Sequence, residues 1–130
     1  MVLEALELQR RTSNLTEDPR LPAKKLSIEH ILPRGWTVEN WPLLEDTQEA
    51  KDARQALIHT FGNLTLVTGS LNSSLSNDTW SKKSNTLQKH SILLLNVDLR
   101  NVDEWNETAI KNRSKDLFRL AKNIWPFPSE

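Results

Sequence analysis

Leu3, Ala5 and Leu6 recur at helical spacing among charged neighbours, which predicts an amphipathic helix over residues 2–11. It starts right after Met1 with no capping residue, so the chain is expected to be the C-terminal fragment of a longer protein. The polar stretch TSNLTEDPRLPAKK follows, and its Pro19 and Pro22 disfavour regular structure. From Leu26 the pattern alternates: Leu26, Ile28, His30 and Leu32 lie on one side, Ser27, Glu29 and Ile31 on the other, up to Pro33. That period of two predicts a short strand. Trp36 and Trp41, with Gly35 and Pro42, mark residues 34–44 as an irregular loop held by two aromatic anchors.

Asp46 with Glu49 three residues on has the form of a capping box, and Ala50, Ala53, Ala56 and Leu57 continue a helix to its stop at Gly62. The segment GNLTLVTG, residues 62–69, alternates again and is rich in strand formers, which predicts a second strand. Helical spacing returns through Leu71 and Leu75 and from Trp80 to Leu87, with Asp78 or Thr79 available as a cap. A connector is expected around Asn96 to Asp103. Beyond Asn106, a stripe of Ile110, Leu117, Leu120, Ala121 and Ile124 predicts a last helix, ended by Pro126.

At 130 residues the length is that of one domain with a core of its own. Cysteine is absent, which excludes disulfides, thiolate chemistry and zinc sites built on Cys, and fits a reducing cytoplasm. No apolar run is long enough for a membrane span, and Glu4 and Glu7 make the first residues unlike a signal peptide, so a soluble, cytoplasmic protein is expected. The formal net charge of zero argues mildly against nucleic-acid binding. Its distribution is uneven, however: Lys111, Arg113, Lys115, Arg119 and Lys122 face only Glu107 and Asp116 in residues 106–125. One face could therefore be basic.

Three positions carry chemistry once the elements are placed: Glu29-His30 at the first strand, Asn63 opening the second, and Asn72 at the start of the next helix. Phosphodiester hydrolysis needs a base that works near neutral pH, a cation to offset charge on the phosphate and leaving oxygen, and groups that fix both. Histidine has a suitable pKa. A hard cation such as Mg²⁺ takes oxygen ligands and keeps several waters, so one carboxylate and one amide oxygen, from Glu29 and Asn72, would be enough. Adjacent strand residues point to opposite faces, which is awkward for Glu29 and His30 unless the strand ends or twists before Pro33.

The segments IEHILP, GNLTLVTGSLNSSLSNDTW and SKK resemble the C-terminal HNH nuclease domain of GmrSD-type modification-dependent restriction enzymes, from about Leu26 to Trp125. The resemblance implies a ββα-metal (His-Me finger) site with His30 as general base and Glu29 as a metal ligand. It also implies that Asn63 braces the loop and orients the histidine, and that Asn72, nine residues later, completes a site for Mg²⁺ or Mn²⁺. Two departures from the general HNH pattern stand out: no Cys pairs for a zinc knuckle, and about thirty residues between the strands. Whole enzymes of that family also carry a ParB-like nucleotide-binding domain, of which nothing is visible here. The expected substrate is DNA, with any preference for modified bases set elsewhere in the full protein.

Taken singly, these residues have plainer readings: a packed histidine, a solvent-facing glutamate, turn and cap asparagines. Only their joint spacing makes them chemical. Arg34, Lys82 and Lys83 are candidate phosphate contacts, against the plainer reading of solvated cations. His59 reads as a helix-end residue suited to the helix dipole, and the five tryptophans as core and lid anchors more than base-stacking platforms. The expected architecture is α+β and mainly helical. A two-stranded antiparallel sheet and helix form a ββα-metal core over residues 26–90, a helix and connector precede it over 1–25, and C-terminal helices follow over 91–130. The expected activity is metal-dependent DNA cleavage in a restriction or phage-defence system. A rival reading is a non-catalytic module that keeps the nuclease fold as a DNA- or protein-docking surface.

Overall fold

A computed structural model describes residues 2–13, 26–68, 71, 78–90 and 93–125. The elements are α1 (Val2–Ser13), β1 (Leu26–His30), α2 (Gln48–Leu57), β2 (Leu64–Thr68), α3 (Trp80–His90), the single turn α4 (Leu94–Val97) and α5 (Glu107–Ile124). Short 3₁₀ turns occupy Phe61–Asn63 and Asp98–Asn101. The chain is thus α+β, with one two-stranded antiparallel sheet among helices. The predicted connector from residue 12 falls almost wholly outside the described residues, as do Leu75 and Asn72.

In the sheet, Leu26 stands opposite Thr68, Ile28 opposite Leu66, Glu29 opposite Thr65 and His30 opposite Leu64. β2 is buried on both faces, whereas β1 is covered less evenly. Val67 joins Ile31, Leu32, Trp41, Ile58, Trp80, Leu87, Trp105 and Ile110 in one core. Leu64 and Leu66, with Leu26, meet Leu3 and Leu6 of α1 and Leu117 of α5 in the other. In β1 the burial departs from the simple alternation expected: Ile28 is 46% exposed, whereas Glu29 is 8% exposed.

Several boundaries differ from the sequence pattern, each for a local reason. β1 stops at His30 because Ile31 and Leu32 turn their N–H groups to Asn63, one to its carbonyl and one to its side chain. The cap of α2 is Thr47, whose hydroxyl accepts from Ala50 N at 3.1 Å, while Asp46 pairs with Lys51 at 3.6 Å. Most of the connector expected at Asn96 to Asp103 is helical. Its first turn, α4, is capped from a distance: the buried Glu7 of α1 accepts from Leu94 N at 2.9 Å and Leu95 N at 2.8 Å. That satisfies N–H groups no local side chain reaches.

Two buried arginines fasten irregular backbone to helices. Arg54 of α2 donates to the carbonyls of Trp41 and Pro42, pairs with Glu107 at the start of α5, and lies 4.8 Å from the centre of the Trp36 ring. The loop from 31 to 47 is therefore pinned. Arg113 of α5 donates to Gly62 O at 3.1 Å and Leu64 O at 2.6 Å, and burial pushes its pKa down to about 10. At Gly62 the helix comes so close that a Cβ would lie 2.1 Å from Ile110 O, which leaves room only for glycine. This contact sets where the turn before β2 lies, and with it Asn63.

Candidate functional site

The end of β1 is gripped from two sides. On one side Asn63 is fully buried, and all four hydrogen-bonding positions of its amide are used. Oδ1 accepts from Leu32 N at 2.8 Å and from Trp105 Nε1 at 3.0 Å. Nδ2 donates to Leu32 O at 2.9 Å and Ile58 O at 2.8 Å. The Asn63 carbonyl also accepts from Ile31 N at 2.9 Å. The residues directly after His30 therefore have one available path.

On the other side stands Lys83 of α3, only 1% exposed. Its Nζ donates to His30 O at 2.9 Å and Ile31 O at 3.0 Å, and lies 3.9 Å from Glu29 Oε1. This corrects the reading of Lys83 as a phosphate contact, since its donors are directed to backbone carbonyls inside the protein. The reason is helical phase: Trp80, Lys83 and Leu87 share the buried face of α3, and Lys82 next to them is exposed. Burial pulls the Lys83 pKa down, with Glu29 and Asp78 opposing. Burial likewise raises the Glu29 pKa, against Lys83 and a hydrogen bond from the His30 backbone.

His30 is half-buried, and its Nε2 lies 3.1 Å from Nδ1 of His59, the two rings meeting edge to face at 87°. Its pKa is lowered, first by burial and then by the charges of His59, Arg34 and Lys83. The imidazole is thus biased towards its neutral, proton-accepting form. Arg34 is exposed in the loop just beyond it.

Glu29 and His30 do not meet. They face different partners across the sheet, Thr65 and Leu64, and the carboxylate is beside Lys83 while the imidazole is beside His59. Glu29 Oε2 is buried with no hydrogen-bond partner. An oxygen of this kind is what a hard cation takes up, and such a cation needs few protein ligands because it keeps waters. Among the described residues no three His, Cys, Asp or Glu side chains gather to hold a metal. Glu29 thus has an oxygen to offer a cation, but the carboxylate is buried beside the Lys83 ammonium and away from the imidazole, and Asn72 lies outside the described residues.

The sequence reading missed His59 as a neighbour of the site. Its position carried a signal: it stands four residues before Asn63, and Asn63 was already expected beside the loop after His30. No described helix is long and apolar enough to cross a membrane. Neither the curated proteins nor the solved structures contain a match to the chain. The sequence model of the family described as GmrSD restriction endonucleases, C-terminal domain, matches residues 1–120. The chain belongs to that family and is a nuclease domain of the restriction-endonuclease type.

Proposed function

We propose that the domain hydrolyses DNA phosphodiester bonds with His30 as general base, in an HNH-type site serving modification-dependent restriction or phage defence in the cytoplasm. One observation carries this reading: the backbone around His30 is held by both Asn63 and Lys83, while the imidazole itself stays half-exposed with a lowered pKa. A base fixed in place and neutral near pH 7 can take a proton from water as it attacks the phosphate. His59 holds one edge of the ring through the 3.1 Å bond. Asn63 acts through the backbone of residues 31 and 32 and is a positioning residue.

Glu29 and Asn72 are the proposed ligands of a divalent cation, Mg²⁺ or Mn²⁺. When bound, that ion would offset charge on the phosphate oxygens and the leaving 3′ oxygen. The unpartnered Glu29 Oε2 supports the assignment. Arg34 and Lys82, both exposed, are the proposed phosphate contacts. Such contacts read no sequence, so a preference for modified bases would come from elsewhere in a longer protein, where a ParB-like nucleotide-binding domain is the proposed companion.

Plasmid nicking by the purified domain tests this. With Mg²⁺ or Mn²⁺ the supercoiled form is expected to be lost, and EDTA or His30→Ala should abolish the reaction. Absence of cutting on modified and unmodified DNA alike would favour a docking module that keeps the nuclease fold. Cutting that survives in His30→Ala would remove the histidine from its role.

A further inference from the structure

We propose that Lys111, Lys115 and Lys122 of α5 form a track for the backbone of duplex DNA, which carries the double helix onward from the His30 site without reading its sequence. This inference rests on the reading of the domain as a DNA nuclease and adds a binding surface to it. At about 100° per residue the three side chains leave α5 within about 40° of one another, in a straight row about 16 Å long. That length corresponds to about five base pairs of a duplex. All three lysines are exposed, and none pairs with a carboxylate among the described residues. Lys122 Nζ lies 5.1 Å from the centre of the Phe118 ring, a contact that leaves its charge unneutralised.

Two observations separate this row from an ordinary solvated face. The first is its own electrostatics. Lys111 and Lys115 are four residues apart, as are Lys115 and Arg119, and like charges at that spacing weaken a helix. Glu107 stands four residues before Lys111, where it would offset the charge, but it is taken by the buried Arg54. Asp116 pairs with Arg119 at 3.2 Å. Both acids of α5 are thus directed to arginines, which leaves the lysines for an anion from outside. The second observation is their place. A depression beside His59 is lined by His59, Thr60 and Phe61 from the segment between α2 and β2, and by Ser114, Leu117 and Ala121 of α5. His59 Nδ1 is 3.1 Å from His30 Nε2, and Lys115 and Lys122 directly follow Ser114 and Ala121 in the chain. The row therefore borders a depression that starts at the neighbour of the proposed base. Ammonium groups are point charges that suit phosphates and read no bases. A duplex carries such charge at high density and gains most from its neutralisation. An acidic protein or an anionic lipid would use the lysines but has no reason to lie beside His30.

The test is the anisotropy of labelled duplexes of different sequence bound to the intact chain in EDTA, over a series of salt concentrations. Lys111→Gln, Lys115→Gln and Lys122→Gln should each reduce the salt slope by about 0.9 and weaken binding about five- to tenfold at moderate salt, equally for every sequence. Lys51→Gln, which removes the same charge beside Asp46, should leave slope and affinity unchanged. Melting followed by circular dichroism should find Lys111→Gln and Lys115→Gln at least as stable as wild type, because like charges are relieved. An unchanged slope in the folded row variants, an equal loss in Lys51→Gln, a loss confined to one sequence, or lysine-dependent binding to phosphatidylserine vesicles with none to the duplex would each overturn the proposal. His30→Ala serves as the control for the underlying reading, because it should bind with the wild-type slope and fail to cut. If wild type cuts DNA and the row variants bind and cut just as well, the track is lost and the nuclease stands. If the slope depends on the row while wild type never cuts with Mg²⁺ or Mn²⁺, the track stands and the nuclease reading is lost.

Discussion

The two sides that grip the end of β1 solve the same problem in opposite ways. On the Asn63 side every donor and acceptor of a neutral amide is matched at 2.8–3.0 Å, and nothing is exposed. On the Lys83 side the ammonium completes two bonds to carbonyls, but its distance of 3.9 Å from Glu29 is too long for a hydrogen bond, and Glu29 Oε2 has no partner. A closed network gives stiffness and has no capacity left for a ligand. The open one keeps a buried carboxylate under-satisfied, which costs stability and leaves something to bind with. Geometry and chemistry are thus divided between the two faces of one short strand end.

The largest effect expected from breaking this arrangement is at the closed side. Asn63→Ala leaves Leu32 N, Leu32 O, Ile58 O and Trp105 Nε1 without partners in a dry interior. A loss of about 3–5 kcal/mol in urea unfolding is expected. Asn63→Asp should not restore it, since a carboxylate would face two carbonyls. A loss under about 1 kcal/mol would mean that water replaces the amide and that the two sides differ less than the contacts suggest.

At the open side Lys83→Met should cost less, about 2–3 kcal/mol, because two carbonyls lose a donor while the methylene stem is replaced by packing of similar size. Part of that loss comes from stranding Glu29, so adding Glu29→Gln to Lys83→Met should recover some of it. If the double variant is no more stable than Lys83→Met alone, the 3.9 Å pair carries no coupling.

Much of this architecture was legible in the sequence, and what escaped shares a cause. Both strands and the long helices announced themselves by period, although only the helical stripe from Ile110 to Ile124 is buried nearly as its pattern requires, while in the strands Ile28 is exposed and Thr65 and Val67 are buried. The strand end before Pro33 came from the alternating pattern and the bracing Asn63 through the family resemblance, and spacing alone would have left Asn63 a turn residue. The sequence hid the buried cations. Lys83 between Trp80 and Leu87, and Arg113 between Ile110 and Leu117, sit on apolar stripes, where the pattern calls for an aliphatic residue and a long basic side chain reads as an intrusion. They are inside because irregular backbone at 30–31 and 61–64 leaves carbonyls to be satisfied, a demand that exists only in three dimensions. The α4 turn escaped for the same reason, since its cap, Glu7, is 87 residues from Leu94.

Smaller effects should appear as pH dependence. Burial raises the Glu29 pKa in the folded protein, so the folded state holds that proton more tightly than the unfolded chain. Below the ordinary carboxylate range both states are protonated and there is no penalty. As pH rises through that range to the raised value, this contribution falls, and the cost is fully present above it. Urea midpoints across pH should show this decline in wild type and a flatter profile in Glu29→Gln. Identical slopes would show that a change of side-chain conformation lets Glu29 ionise freely.

His30 carries the opposite sign, and its effect is expected to be the smallest. Its folded pKa is lowered, so its stability contribution is intact above the ordinary imidazole value and is lost as pH falls through that value to the folded one. The same shift keeps the proposed base neutral further into the acid range, which places the acid limb of the nicking profile below the ordinary imidazole value. His59→Ala removes the second-largest cause and leaves the first, burial, in place. The limb should therefore move towards the ordinary value without reaching it. An acid limb that stays where it was in His59→Ala, with the rate reduced uniformly at every pH, would mean that His59 acts by holding the ring and not by its charge.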